Sequence, residues 1–170
     1  MVVAVLILSL LLASTASADV GIGLKWFTQS ATANEETISC VDYALYNPFN
    51  TNVTGYLAAT RDLAKIHSPA ATDPPKLIPA GTSSANAITT RICFDIPKIY
   101  KEDCILGFLC RQECTEPEVK YAGEVIGTHR MGPAGAVTGS ATGTSVAAPL
   151  EIRVQCQKHP TNWTPAYLLI

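Results

Sequence analysis

Charge is scarce in this chain. Only 15% of its 170 residues are Asp, Glu, Lys or Arg, against roughly a quarter in soluble domains. Twelve basic and 14 acidic side chains leave a net charge of −2. No basic run gathers them, so the electrostatic footprint of a nucleic-acid binder is missing. The acidic residues are scattered, without the paired carboxylates of an acid/base site. No apolar run reaches the roughly 20 residues that span a bilayer as a helix. Heptads and 20–50-residue repeats are absent, which excludes coiled coils and solenoids. Disorder is excluded by the opposite excess, since 48% of residues are apolar. A chain of this length fits one domain with a real core.

What the sequence does have begins at Val2. Val2 to Ala13 is apolar except for Ser9, and the small residues Ala16-Ser17-Ala18 precede the first charge at Asp19. The run is too short to span a membrane and matches a signal-peptide core with its cleavage site. Cleavage would make Asp19 the new N-terminus. No Lys or Arg precedes the run, so an uncleaved anchor to Ala18, or a start codon placed late, stays open. Either way the body of the protein is expected outside the cytosol, secreted or at the cell surface.

Cys40, Cys93, Cys104, Cys110, Cys114 and Cys156 make an even six. In an oxidising compartment such a set favours disulfides. Six cysteines allow 15 pairings. The expected one joins Cys40 to Cys156 and keeps Cys93 to Cys114 as an internal cluster. Asn52-Val53-Thr54 and Asn162-Trp163-Thr164 are sequons, giving Asn52 and Asn162 as glycosylation candidates.

The hydropathy pattern has a period of two almost throughout. Thr37–Tyr46, Ala85–Ile96, Glu118–Thr128 and Leu150–Cys156 alternate apolar and polar residues, as half-buried antiparallel strands do. Asn47-Pro48-Phe49-Asn50 reads as a turn leading into a strand through Val53 and Leu57. Pro74-Pro75, Pro79 and Pro97 break the chain between strands. Tyr56 to Ile66 is the main helix candidate, with irregular spacing, and Gly132–Gly143 reads as a long loop. The expected fold is all-β: a single immunoglobulin-like antiparallel β-sandwich over residues 19–163, disulfide-stabilised, preceded by a signal peptide (1–18) and followed by a tail (164–170). Trp26 and Trp163 read as core plugs or exposed anchors, core being the expected role of a bulky indole. His67, His129 and His159 read as isolated, solvated side chains.

Thr37-Ile38-Ser39-Cys40-Val41-Asp42-Tyr43-Ala44-Leu45-Tyr46-Asn47-Pro48, Leu77-Ile78-Pro79-Ala80-Gly81-Thr82 and Arg91-Ile92-Cys93-Phe94-Asp95-Ile96-Pro97 share one cadence. An alternating strand ends at an Asn turn, a Pro-x-Gly-Thr corner follows, and a later strand closes on Pro. Over residues 37–97 this resembles the immunoglobulin-like CARDB-type modules of prokaryotic, especially archaeal, cell-surface proteins. The resemblance implies a non-catalytic extracellular sandwich and no site residues. The six cysteines and the Gly-rich stretch depart from that pattern.

Gly143-Thr144-Ser145-Val146-Ala147-Ala148-Pro149 is similar to the nucleophile segment of subtilisin-like proteases, and Gly127-Thr128-His129 to part of their histidine motif. Ile126 stands where that motif needs a His, no early Asp-Ser/Thr-Gly segment exists, and the residues after Ser145 alternate as a strand where the protease has a helix. A triad is three groups in geometry. Ser145 as a hydrolase nucleophile is therefore the remote alternative, and no catalytic residue is assigned. Cys93, Cys104, Cys110 and Cys114 have thiolates for zinc, with Cys156 and His159 as a further pair, but only Cys110 and Cys114 have zinc-like spacing. His129, Met131, Cys156 and His159 lack the close ligand order of blue-copper sites. No metal or cofactor is assigned.

The reading that absorbs export, disulfides and alternating strands is a structural or interaction sandwich of the cell envelope, its partners other envelope proteins or copies of itself. A filament or surface-layer subunit is one version, with Val20–Phe27 as the strand donated between copies. An exported metal- or ligand-binding protein is the alternative.

Overall fold

The computed structural model describes residues 21–105, 109–130 and 145–157. Residues 1–18, read from the sequence as a signal peptide, the stretch 132–143, His159, Asn162, Trp163 and residues 164–170 lie outside the described residues. Among the described residues ten strands and one short helix follow in order: β1 (Gly23–Trp26), β2 (Ser30–Asn34), β3 (Ile38–Tyr46), β4 (Val53–Ala59), α1 (Arg61–Ile66), β5 (Lys76–Ile78), β6 (Ile88–Asp95), β7 (Tyr100–Ile105), β8 (Leu109–Cys114), β9 (Glu118–Arg130) and β10 (Val146–Gln155).

Two sheets form the sandwich, in the orders β1-β3-β6 and β2-β10-β9-β4-β5. Neighbours run antiparallel except β2, which is parallel to β10. This is the Greek-key arrangement of an immunoglobulin-like domain, with its first strand split between the sheets at residues 27–29. The alternation in the sequence aims one face of each strand inward. Val41, Tyr43 and Leu45 of β3, Ile92 and Phe94 of β6, Val125 of β9, and Leu150, Ile152 and Val154 of β10 meet in one core.

Tyr56 to Ala59 completes β4, so only the second half of the helix candidate is helical. Leu63 and Ile66 of α1 enter the core. The Thr60 hydroxyl does not cap the helix; it donates to the Glu124 carbonyl at 3.2 Å and accepts from the Glu124 amide at 3.1 Å. That junction needs Gly123, because a Cβ there would collide with the Thr60 carbonyl. Asn47 is fully buried and organises the β3–β4 turn. Its Nδ2 donates to the Thr51 carbonyl at 2.6 Å, its Oδ1 accepts from the Phe49 amide at 3.1 Å, and its own amide donates to Thr82 Oγ1 at 2.6 Å.

The hairpin β7–β8 is an insertion between the two sheets' strands and, among the described residues, pairs only with itself. Its base is tied down by Glu35, which is buried and whose carboxylate accepts from the Ile99 amide at 3.4 Å and the Gln157 amide at 3.1 Å.

Sheet edges are managed unevenly. Exposed backbone edges invite pairing with other chains. β6 is sealed by residues 67–76: the Ser68 amide donates to the Cys93 carbonyl (2.8 Å), the Asp73 amide to the Arg91 carbonyl (3.0 Å), and Lys76 Nζ to the Thr89 carbonyl (2.8 Å). Thr72 Oγ1 and Asp73 Oδ2 accept from the Cys93 and Arg91 amides. β5 is three residues long between Pro75 and Pro79, which limits it as a pairing edge.

Three expectations are corrected here. Val20–Phe27 is not a free donor strand, because Gly23–Trp26 pairs with Tyr43–Tyr46 of the same chain and buries Leu24. Trp26 is no core plug; it ends β1 and is 41% exposed. His129 is not solvated: it lies on the inward face of β9, opposite Gly55, and is buried.

Candidate functional site

The cysteines pair differently from the expectation. Cys40 bonds to Cys93 and Cys114 to Cys156; Cys104 is also disulfide-bonded, and the hairpin register sets it opposite Cys110. No cysteine among the described residues is free. The reason is register. Cys40 faces Cys93 directly across β3–β6, with Cα atoms 4.1 Å apart, whereas Cys156 leaves β10 beside the foot of the hairpin. The first bond clips one sheet and the second fastens the hairpin to the other. Sequence spacing could not show this, because β7 and β8 were unrecognised as a hairpin.

The cysteines weighed as metal ligands are spent in disulfides, and Ser145 and His129 share no hydrogen bond among the described residues. Ser145 is exposed just before β10, which is a strand where the protease motif requires a helix, while His129 is buried between the sheets. Neither ring nitrogen of His129 has a hydrogen-bond partner among the described residues, and burial holds its pKa below the ordinary value. His67 is half-buried against Phe94, its Nε2 3.1 Å from Thr72 Oγ1, and burial lowers its pKa too. Among the described residues no group of three His, Cys, Asp or Glu is placed to hold a metal ion. Asn52 is exposed, and its Oδ1 accepts from the Ala80 amide at 2.9 Å.

The feature that sequence reasoning missed is a cleft of about 440 Å³ where the chain crosses from β1 to β2. Cys40, Val41 and Asp42 of β3 and Thr89 of β6 line it, with Phe27, Thr28 and Ala31 opposite. Consecutive strand residues point to opposite faces, so a cleft touching all three residues of β3 opens at that strand's edge and reaches across its outer face to β6. Phe27 is 62% exposed and Ile38, at the strand's start, 57% exposed. Lys25 Nζ stands 5.5 Å from the Phe27 ring centroid. On the same sheet face Arg91 clasps Asp42 with two hydrogen bonds, of 2.7 and 3.1 Å, which holds the Asp42 carboxyl below its usual range. The only sequence signal for the cleft was the Trp26-Phe27 pair beside a strand too short to cover β3.

No family model matches the chain, and no curated protein matches it in sequence. Among solved structures it is similar to the ASH / PapD-like domain of human CEP192 (PapD-like domain 7), at 9% identity and a TM-score of 0.41, over 88% of this chain and 94% of that one. It is also similar to the E. coli chaperone DraB, at 12% identity and a TM-score of 0.38, over 79% of this chain and 54% of that one.

Proposed function

We propose that this protein is an exported, non-catalytic interaction module of the cell surface, acting through its sandwich surface on envelope proteins or on copies of itself. The observation that supports this best is that every described cysteine is oxidised, the state of chains that mature outside the cytosol. The leader-like Val2–Ala18 segment and the cadence shared with CARDB-type surface modules agree with it. So does the state of His129, which is buried with no hydrogen bond to Ser145 among the described residues and so activates no nucleophile.

Intact-mass spectrometry of the chain expressed through a secretory pathway tests export and oxidation together. The expected product starts at Asp19 and gains two hydrogens per disulfide on reduction. A product that keeps its leader in the cytosol, with free thiols, overturns the reading. Cross-linking on intact cells tests the role. Adducts to envelope proteins or to a second copy are expected, and labelling of Ser145 by a fluorophosphonate would refute the non-catalytic assignment.

A further inference from the structure

We infer that the β3 edge beside Phe27 is a docking site for an extended peptide strand, which continues the line of β1 and pairs with Ile38–Asp42. This rests on the interaction-module reading and names its contact surface.

The argument starts from the ladder. Among the described residues β1 pairs only with Tyr43–Tyr46, so Ile38–Asp42, about 14 Å of strand, has β6 on one side and no described strand on the other. The Cys93 amide and carbonyl are bonded to Thr72 Oγ1 and the Ser68 amide, on the side of β6 away from β3. Cys40 and Cys93 are therefore a non-hydrogen-bonded pair, as their close Cα atoms agree. It follows that the amide and carbonyl of Cys40 point away from β6, into the cleft. Among the described residues nothing bonds to them. Ser39 and Val41, by the same alternation, are the residues bonded to β6.

The occupant's chemistry follows from what is unpaired. A donor and an acceptor on one strand residue are matched together by another extended backbone. A residue opposite Cys40 would place its side chain on the outer face beside the disulfide and Phe27. Its two neighbours would point to the inner side, where Val41 and Ala31 offer apolar surface. The partner is thus an extended segment with apolar residues at every second position. Two of the other edges are less suited: β6 is sealed and β5 is short between prolines.

Hydrogen exchange and peptide selection test this on the disulfide-intact protein. In the free protein the Cys40 amide should exchange at least tenfold faster than those of Ser39 and Val41. Peptides selected from a random displayed 12-residue library should slow it at least tenfold. They should also bind at least tenfold more weakly to a Phe27→Lys/Ile38→Lys variant, whose two positions are exposed and whose folding is checked by circular dichroism. A Cys40 amide protected from the start overturns the open edge. Peptides that protect another edge and ignore the double substitution overturn this site but leave the module reading intact. A library yielding no binder also overturns the site, and the cell-surface cross-linking reports on the module reading independently.

Discussion

Removing the Cys114–Cys156 bond by replacing both residues with alanine should cost about 4 kcal/mol. The two positions are 42 residues apart, and the loop-closure relation for a cross-linked denatured chain gives that figure at 25 °C. Cys40–Cys93, 53 residues apart, gives about the same. The two closed loops follow one another in sequence without overlap, so their effects should add. Together they approach the whole stability of an ordinary domain, about 5–15 kcal/mol. The assay is urea unfolding followed by tryptophan fluorescence and circular dichroism. The single-bond variant should stay folded with a midpoint lowered by roughly 2 M, taking a slope of about 2 kcal/mol/M. Full reduction should leave the chain largely unfolded. A loss below about 1 kcal/mol on removing Cys114–Cys156 would refute the reasoning, because the hairpin would then be held without its covalent tether.

Acid should destabilise the fold from about pH 6.5 downward. Burial lowers the folded pKa of both His67 and His129, so their contribution is complete above the unfolded value of about 6.5 and is lost as pH falls through the folded values. Thermal melts from pH 8 to 5 should show the drop, and His129→Leu should shrink it; an unchanged profile would clear His129 of the role. Tyr43 is fully buried with its hydroxyl unpartnered and its pKa pushed up to about 12 by burial. Tyr43→Phe should therefore be neutral or stabilise by up to about 1 kcal/mol; a loss above that in urea unfolding would reveal a hidden partner. Asn47→Ala should cost about 2–4 kcal/mol, since it strands the Phe49 amide and Thr51 carbonyl, and equilibrium denaturation measures it.

The sandwich was legible where one face is buried and the other is wet. Leu150, Ile152 and Val154 alternate cleanly because β10 lies between β2 and β9 with one side in the core. Pro97 ended the β6 region, and the Asn47 turn fell where the buried side chain organises it. The hairpin was not legible. Of Tyr100–Cys104, residues Lys101–Cys104 are all exposed, so no inward face imposes a period of two. Cys93 misled for a related reason. It sits on the outward face of β6 with the polar Thr89 and Arg91, yet it is buried, because residues 67–76 fold over that edge. Burial by a loop leaves no trace in periodicity. The open edge was hidden as well, since it depends on where β1 stops, and strand ends are set by tertiary pairing.

Neither resolved disulfide joins the two sheets. In antibody domains a bond between the second and sixth strands pins one sheet to the other. Here the cysteine on the second sandwich strand, Cys40 on β3, pairs within its own sheet, and the other bond fastens the hairpin to the end of β10. Among the described residues cohesion between the two sheet faces therefore falls to apolar contact: Tyr43, Leu45, Phe94 and Ile92 against Val125, Leu150, Ile152 and Val154. The covalent bonds instead hold the parts with least core. One fixes β3 to β6 just where β1 ceases to support it, and the other holds a hairpin that pairs only with itself. A two-stranded hairpin is marginal alone, and an uncovered strand edge frays more readily than a paired one. The disulfides thus stiffen the two features that face outward, the edge with its Phe27 cleft and the inserted hairpin, which is the placement expected if recognition depends on keeping them in shape.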